Sequence, residues 1–127
     1  MIPFLKTTTN SLFFIIATVV ILVSCKHKTD FNSLTEVSYS KDIAPIINSN
    51  CAFSGCHGTT NFVHFSLVTY EGLENGHIVP GSPEKSRLYQ AIKSYGDGIM
   101  PKKPYSELTE NQIQLIYVWI GQGVKNN

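Results

Sequence analysis

Residues 51–57 read Cys-Ala-Phe-Ser-Gly-Cys-His, and this short stretch decides how the surrounding chain is interpreted. Two thiols, Cys51 and Cys56, are separated by four residues, and the imidazole of His57 follows the second thiol directly. Neither a disulfide nor a redox dithiol requires a histidine at that position. The adjacent imidazole is therefore the informative feature of the cluster.

A Cys-x-x-Cys-His run is the attachment signature for c-type haem, and this stretch has the same side chains with a longer gap. Haem attachment needs two thiols near the two vinyl groups of one porphyrin, and an imidazole that reaches the iron. Gly55 supplies backbone freedom where the two extra residues must bulge outward. The stretch therefore favours a covalently bound haem.

Two alternatives remain open on these residues alone. In an oxidising compartment Cys51 and Cys56 could form a small disulfide, with His57 incidental. A zinc site could instead use both cysteines together with His57 and either His64 or His77. Zinc sites usually show a second paired element at recognisable spacing, and the sequence has none.

Met100 is the only methionine besides the initiator, and it lies in a loop between Gly96 and Pro101. Methionine usually fills gaps between packed helices, so its place in a glycine- and proline-rich loop is unusual. The alternative interpretation is that Met100 is a core residue packed under the loop. A thioether beside a stiff proline is a good iron ligand opposite His57.

His77 and His64 compete with Met100 for the position opposite His57. His64 is only seven residues from His57, so it would need a tight return to reach the other face of a haem. His77 precedes the segment Ile78-Val79-Pro80-Gly81 and could approach the iron. An exposed loop histidine is the commoner explanation for both, so Met100 ranks first and His77 second as the distal ligand.

The sequence from about residue 37 onward predicts an all-α domain, with three main helices between loops rich in glycine and proline. The first helix spans Ser40 to Asn50, and Asp42 is its expected cap, because Pro45 is tolerated only near a helix start. The second helix begins at the cap Ser82 and ends at Gly96.

The third helix has the clearest signals. Thr109 and Gln112 have the spacing of a capping box, and Gly121 and Gly123 end the helix. Its apolar stripe comprises Ile113, Ile116, Tyr117 and Ile120, widened by Leu115 and Trp119. Only Phe62 to Val68 hints at alternating polarity, and we expect a loop or a short extended piece there.

The first 24 residues predict an export signal. One positive charge, Lys6, precedes the run Leu12 to Val23, which is 12 residues long and apolar except for Thr18. A membrane-spanning helix needs about 20 apolar residues, so this run is too short to span. Ser24-Cys25 resembles the end of a bacterial lipoprotein signal, in which a small residue precedes a cysteine that becomes lipidated. An ordinary secretory signal with an incidental cysteine, or an uncleaved anchor, is the alternative.

We therefore expect residues 1–24 to be a lipoprotein signal peptide, residues 25–36 a polar tether from lipidated Cys25, and residues 37–127 the folded domain. These boundaries predict a protein anchored by lipid at the bacterial cell envelope, facing the periplasm or the exterior. The chain of 127 residues carries 10 basic and 9 acidic side chains, so its charge does not point to nucleic acid as a partner.

The order of these pieces resembles class I c-type cytochrome domains, of the lipoprotein type found in bacterial envelopes. The segments that carry the resemblance are residues 39–47, the 51–57 cluster, residues 79–88, Met100-Pro101 and residues 108–123. The resemblance implies an all-α, cytochrome c-like fold, with three main helices and loops around one haem c.

The same resemblance implies specific roles for several residues. Cys51 and Cys56 would form the haem thioethers, His57 would be the proximal iron ligand and Met100 the distal ligand. The first and last helices would cross each other, with Trp119 near that crossing or near the haem. The expected function is electron transfer between redox partner proteins of the envelope, not catalysis on a small-molecule substrate.

Two other functions stay open. The first is a haem-free envelope lipoprotein that has a Cys51–Cys56 disulfide and acts as a binding module. The second is a haem domain with an open iron site, acting on peroxide or gases, in which Met100 is not bound. Lys102 and Lys103 lie next to the methionine loop and either rim an exposed haem edge or simply solvate the loop.

Overall fold

Four α-helices and three shorter helical turns make up the part of the chain that the computed structural model describes, residues 29–61, 65–94 and 98–127. The helices are α1 (Ala44–Asn50), α2 (Tyr70–Glu74), α3 (Arg87–Lys93) and α4 (Glu110–Gly121). No β-strand occurs in these three ranges, so the prediction of an all-α domain is confirmed. None of the helices described is long and apolar enough to cross a membrane.

The first helical segment starts at Tyr39, one residue earlier than predicted, in a turn whose cap is Ser38. Since α1 itself begins at Ala44 without a side-chain cap, the assignment of Asp42 as cap is wrong. A π-helical turn, Tyr39–Ile43, runs directly into α1. The Ser38 hydroxyl accepts the N–H of Lys41, and the Asp42 carboxylate reaches back to accept the N–H of Ser38 at 2.8 Å. Asp42 is thus the second half of a reciprocal capping pair, because only Ser38 has the extended backbone that a cap requires.

The far end of the chain satisfies further N–H groups at this helix start. The main-chain oxygen of Asn127 accepts the N–H of Ser40 at 2.9 Å, and its side-chain Oδ1 accepts the N–H of Tyr39 at 2.9 Å. The first turn of a helix has no partners of its own for these groups. Residue 127 therefore acts as a cap supplied from the other end of the sequence.

The predicted second helix is divided into two pieces. Pro83–Lys85 forms a 3₁₀ turn, and α3 follows it after a break at Ser86. The Ser86 side chain is fully buried, accepts the N–H of Val79 and donates to the carbonyl of Ser82, so it binds the preceding loop. Ser82 is the N-cap residue of the 3₁₀ turn and Pro83 its first residue, as predicted, but the Ser82 side chain makes no capping hydrogen bond.

The end assigned to the second helix at Gly96 lies outside the described residues, because positions 95–97 are not described. Within the described part, α3 ends at Lys93, and Ser94 already has extended backbone angles. The predicted and observed helices therefore share their central turns but differ at their start.

The last helix confirms its predicted capping box. Thr109 accepts the N–H of Gln112 through its hydroxyl, and the Gln112 side chain accepts the N–H of Thr109 at 2.9 Å. The helix ends at Gly121, and Gly123 follows with a positive φ of 96°. Gly121 has an additional role, because the ring of Phe31 lies so close that a Cβ at position 121 would overlap it.

No pattern in the sequence predicted α2. Its cap is Thr69, whose hydroxyl accepts the N–H of Gly72 at 3.2 Å. The preceding residues 65–68 have no regular structure, in agreement with the predicted loop, while residues 62–64 lie outside the described part. The helix has only five residues, too few to show a periodic pattern.

The core lies between the last helix and the start of the first. Its most deeply buried apolar side chains are Trp119, Ile43, Ile47, Leu73, Ile116 and Ile120. Burial of each such side chain contributes about 1.5–3 kcal/mol relative to exposure. The Trp119 ring stacks on Tyr39 with ring centroids 5.8 Å apart and meets the edge of Tyr70 at 6.5 Å. Trp119 therefore lies where the first and last helical segments meet.

Candidate functional site

Two adjoining cavities, of about 400 Å³ and about 220 Å³, meet between α1, α3 and the methionine loop. Cys51, His57 and Met100 line both cavities, and Cys56 lines the larger one. Met100 is more than forty residues from the cysteine cluster in the sequence. The fold thus brings four of the sequence-predicted site residues to one place.

Cys51 is placed by the end of α1. Its N–H donates to the carbonyl of Ile47 at 2.9 Å, and its side chain is 9% exposed. Burial, with a smaller contribution from Cys56, raises the pKa of the Cys51 thiol to about 11. Cys51 is therefore a neutral thiol at physiological pH, and both it and Cys56 are free in the structure.

The segment between the cysteines forms a closed turn. The carbonyl of Cys51 accepts the N–H of His57 at 3.2 Å, so the chain returns to its starting point within six residues. Gly55 is exposed with a positive φ of 81°, as expected for the residue that lets the bulge close. Ser54 and Gly55 are exposed, and Phe53 and Gly55 line the larger cavity, so the longer gap forms a turn at the edge of that cavity.

Gly58 is a second required glycine, which the sequence interpretation missed. A Cβ at this position would lie 2.7 Å from the carbonyl carbon and oxygen of Phe53. The N–H of Gly58 also donates to that carbonyl oxygen at 2.8 Å. Its position directly after His57 was the available signal, since a glycine there often marks a close approach of two backbone segments.

The His57 ring is fixed by Phe65. Nδ1 lies 3.0 Å from the main-chain oxygen of Phe65, and the two ring centroids are 4.7 Å apart. A carbonyl oxygen can only accept, so Nδ1 carries the hydrogen and Nε2 keeps its lone pair. This is the tautomer that binds a metal through Nε2, with the other nitrogen held by a carbonyl.

Met100 is held at the cavity by its main chain. Its N–H donates to the carbonyl of Ala91 on α3 at 3.0 Å, and its side chain is half-buried. The neighbouring Pro101 is buried and lines the larger cavity. The loop therefore presents the thioether at the boundary that the two cavities share.

His77 lines only the smaller cavity. Its ring stacks on the ring of Phe65, the same residue that contacts His57, and the two ring centroids are 3.9 Å apart. Burial, followed by the charges of Arg87 and His57, lowers the pKa of His77. Cys25 and His64, the other residues considered from the sequence, lie outside the described ranges.

The rim of the cavities is positively charged. Lys102 and Lys103 are exposed and line the larger cavity, and Arg87 lines the smaller one. Among the described residues no aspartate or glutamate lines either cavity. The rings of Phe53 and Tyr105 stack at the rim, with centroids 4.9 Å apart. An anionic group or an acidic protein surface would be attracted to this mouth.

A zinc site has no support in residues 29–61, 65–94 and 98–127. No three of the histidine, cysteine, aspartate and glutamate side chains there are grouped closely enough to hold a metal ion. The donors that converge on the cavity are instead two thiols, one imidazole and one thioether.

Comparison with known proteins gave no match, since no family model, curated protein or solved structure is significantly similar to this chain.

Proposed function

We propose that this protein is a monohaem c-type cytochrome that carries electrons at the bacterial cell envelope. The observation that carries the proposal is the convergence of Cys51, Cys56, His57 and Met100 on one cavity of about 400 Å³. Two thiols, an imidazole and a thioether are the donor set of a covalently attached haem with two axial side-chain ligands.

The chemistry of each donor fits that group. Both cysteines are free thiols and can form thioethers, and the Nε2 lone pair of His57 is available because Nδ1 is held by Phe65. Met100 and His57 line the same two cavities, which supports the role of Met100 as the distal ligand. The haem, when bound, supplies reversible one-electron chemistry at its iron.

The chain's own residues would make electron transfer fast and selective. The main-chain hydrogen bond to His57 holds the imidazole in one orientation, so little rearrangement accompanies a change of iron charge. Apolar side chains such as Leu88 and Ile92 exclude water from the smaller cavity. If His57 and Met100 both bound the iron, no position would be left there for a substrate, which would suit a carrier of electrons.

The arrangement of helices supports a cytochrome c-like fold. The first helix ends at the cysteine cluster, and the last helix packs at the start of the first through Tyr39 and Trp119. The loop with Met100 lies between α3 and α4. These three relations are the ones that the resemblance to class I cytochromes implies.

The place of action belongs to the same proposal. Lipidation of Cys25 would hold the protein at the cell envelope, facing the periplasm or the exterior, where disulfides and thioethers persist. Its partners would be redox proteins of that compartment, drawn to the rim formed by Lys102 and Lys103.

One experiment tests haem attachment directly. The full chain is expressed in a host that has cytochrome maturation proteins, and the purified membrane fraction is run on a denaturing gel and stained for haem. We expect a stained band, and a mass that corresponds to the polypeptide plus one porphyrin. A colourless protein whose mass shows only the loss of two hydrogens would instead establish the Cys51–Cys56 disulfide and refute the proposal.

A further inference from the structure

The N-terminal segment that was expected to be a free tether lies partly on the last helix. The 3₁₀ turn Phe31–Ser33 places the Phe31 ring against Gly121, where no Cβ could fit, and 5.3 Å from the ring of Tyr117. Asp30 accepts the N–H of Asn32 and begins the turn. The chain is thus in contact with the domain from about residue 30 onward.

A single side chain, Gln122, fastens this segment. Its Nε2 lies 3.2 Å from the carbonyl oxygen of Phe31 and 3.0 Å from that of Thr35, and it donates to both. Its Oε1 accepts the N–H of Val37 at 2.9 Å. Glu36 is also paired with Lys125, just beyond the helix. Residues 31–37 are therefore bound along the end of α4 by hydrogen bonds to both the nitrogen and the oxygen of the Gln122 side-chain amide.

This attachment shortens the length of chain between Cys25 and the first residue that contacts the domain. From Cys25 to Asp30 the chain makes five steps and reaches at most about 18 Å, whereas a free tether to Glu36 would reach about 40 Å. A domain of about 100 residues corresponds to a sphere of about 17 Å radius, so a path over its surface to the opposite side is about 50 Å. A lipid at Cys25 could therefore reach only the side of the domain on which Phe31 lies.

The side with Phe31 and the side with the cavities are separated by α3. Four residues of α3 line the smaller cavity, namely Arg87, Leu88, Ala91 and Ile92. At 100° per residue, Tyr89 points about 130° away from the middle of that group. The Tyr89 ring lies 5.1 Å from the ring of Tyr117, which in turn contacts Phe31, and Lys93 lies over the Tyr89 ring. The contacts of Phe31 thus lead to the face of α3 that is turned away from the cavity.

We propose that the lipid surface covers the face of the domain on which Phe31, Lys93 and Tyr117 lie, above the buried ring of Tyr89, and that the cavity of Cys51, His57 and Met100 opens to water on the opposite side. The inference rests on the proposed lipidation of Cys25 and deepens the proposed function, because it determines where the partner approaches. Lys26 and Lys28 in the linker, and Lys93 on the covered face, suit an anionic bilayer. The electron partner is then a soluble protein that binds at Lys102 and Lys103, not a carrier dissolved in the lipid.

Amine labelling tests which face is covered. The haem-loaded, lipidated full chain is bound to vesicles of phosphatidylethanolamine and phosphatidylglycerol, and lysine acetylation is followed by mass spectrometry. The comparison is a variant with a flexible glycine-serine insert of about ten residues between Lys28 and Thr29, which would extend the reach of the linker. We expect Lys93 to be labelled several-fold more slowly in the parent than in the insertion variant, and Lys102 and Lys103 to be labelled equally in both.

Substitutions test the role of Gln122 in the same assay. Gln122→Ala is expected to raise the labelling of Lys93 toward that of the insertion variant, while Gln114→Ala, at an exposed position of the same helix, leaves it unchanged. If Gln122→Ala does not fold, the insertion variant decides alone. Equal labelling of Lys93 in parent and insertion variant, or protection of Lys102 and Lys103 in the parent, would overturn the inference.

The assay separates this inference from the proposed function. Haem content is read from the visible spectrum of the same samples, and a colourless protein refutes the cytochrome proposal whatever the labelling pattern. A mass without acyl chains at Cys25 overturns the orientation and leaves haem attachment standing.

Discussion

At the scale of single residues, the most consequential contact is between the imidazole of His57 and the main chain of Phe65. The acceptor of the Nδ1 hydrogen is a carbonyl oxygen, so no side-chain substitution at position 65 removes it. The Phe65 ring adds a second restraint, because it packs at a tilt against the His57 ring and stacks on the His77 ring. The orientation of the proposed proximal ligand is thus fixed twice, and one of the two restraints is independent of side-chain identity.

Substitution of Met100 tests the proposed distal ligand. We expect Met100→Leu to abolish the weak near-red charge-transfer band that sulfur ligation gives the ferric protein, because leucine cannot bind iron. The visible spectrum of the ferric protein measures this. His77→Ala is the matched control and is expected to keep the band. Absence of the band from the parent, with a changed spectrum in His77→Ala and an unchanged one in Met100→Leu, would assign the distal position to the histidine.

Substitution of Gly58 tests the tight turn after His57. We expect Gly58→Ala to destabilise the protein by about 1–3 kcal/mol, because the new Cβ would meet the main chain of Phe53 and force the turn to shift. Thermal unfolding measures the change. Gly98→Ala is the control, since a Cβ there lies 3.8 Å from its nearest contact. Equal melting temperatures of both variants would show that the turn is more compliant than its geometry implies.

The candidate site was predictable where a side chain carries the chemistry. Cys51, Cys56, His57 and Met100 are rare or informative residue types, and their chemistry alone selects them. Phe65 could not be found, because it contributes a carbonyl oxygen that every residue has, and its distance from His57 depends on the path of the chain.

At the scale of helices and turns, the two ends of the described chain are bound to each other at the start of the first helix. Asn127 accepts N–H groups of Tyr39 and Ser40, and the indole of Trp119 donates to the carbonyl of Lys125 at 3.0 Å. Tyr70 donates to the carbonyl of Val124 at 2.7 Å. The last few residues therefore help to hold the first and last helical segments together, although residues 125–127 are exposed.

Substitution of Asn127 tests this cap. We expect Asn127→Ala to cost about 1 kcal/mol, the typical effect of losing one capping side chain, because the N–H of Tyr39 then loses its acceptor. Chemical denaturation monitored by circular dichroism measures the difference. Asn126→Ala, at the exposed neighbouring position, is expected to be neutral. A loss of stability that is equal in both variants would contradict a specific capping role.

Helices were predictable to the extent that their signals are local. The capping box of Thr109 and Gln112 lies within one turn and is read directly from the sequence. The break at Ser86 depends instead on hydrogen bonds to Val79 and Ser82, which no periodicity reveals. The early start of the first helix likewise depends on Asn127, which is almost ninety residues away.

At the scale of the whole molecule, the larger cavity leaves apolar side chains such as Phe53 and Met100 facing solvent. Apolar surface that a bound group covers contributes about 25 cal/mol per Å² to stability. Small domains are stable by only about 5–15 kcal/mol in total. A group that fills the cavity would therefore add substantially to the stability of the domain.

Removal of both attachment thiols tests this dependence. We expect the Cys51→Ser, Cys56→Ser double variant to lose most of its helical circular dichroism and its cooperative unfolding transition, because no group would be attached to fill the cavity. Ser54→Ala, an exposed substitution in the same turn, is the control and should behave as the parent. If the double variant unfolds as cooperatively and at the same temperature as the parent, haem is not central to the core.

The bonds between Asn127 and the segment Ser38–Ser40 have one more consequence. Because these two parts of the chain already touch, a short peptide could join residue 127 to Ser38 in a protein without residues 1–37, and the backbone could be opened elsewhere without separating α1 from α4. The contacts of Phe31 with Gly121 would be lost in such a protein. The exposed loop at Lys102–Lys103 is the natural opening point. A circularly permuted protein made in this way would have its new N- and C-termini at the rim of the cavity. A reporter domain could be fused there, or the protein could be attached to an electrode.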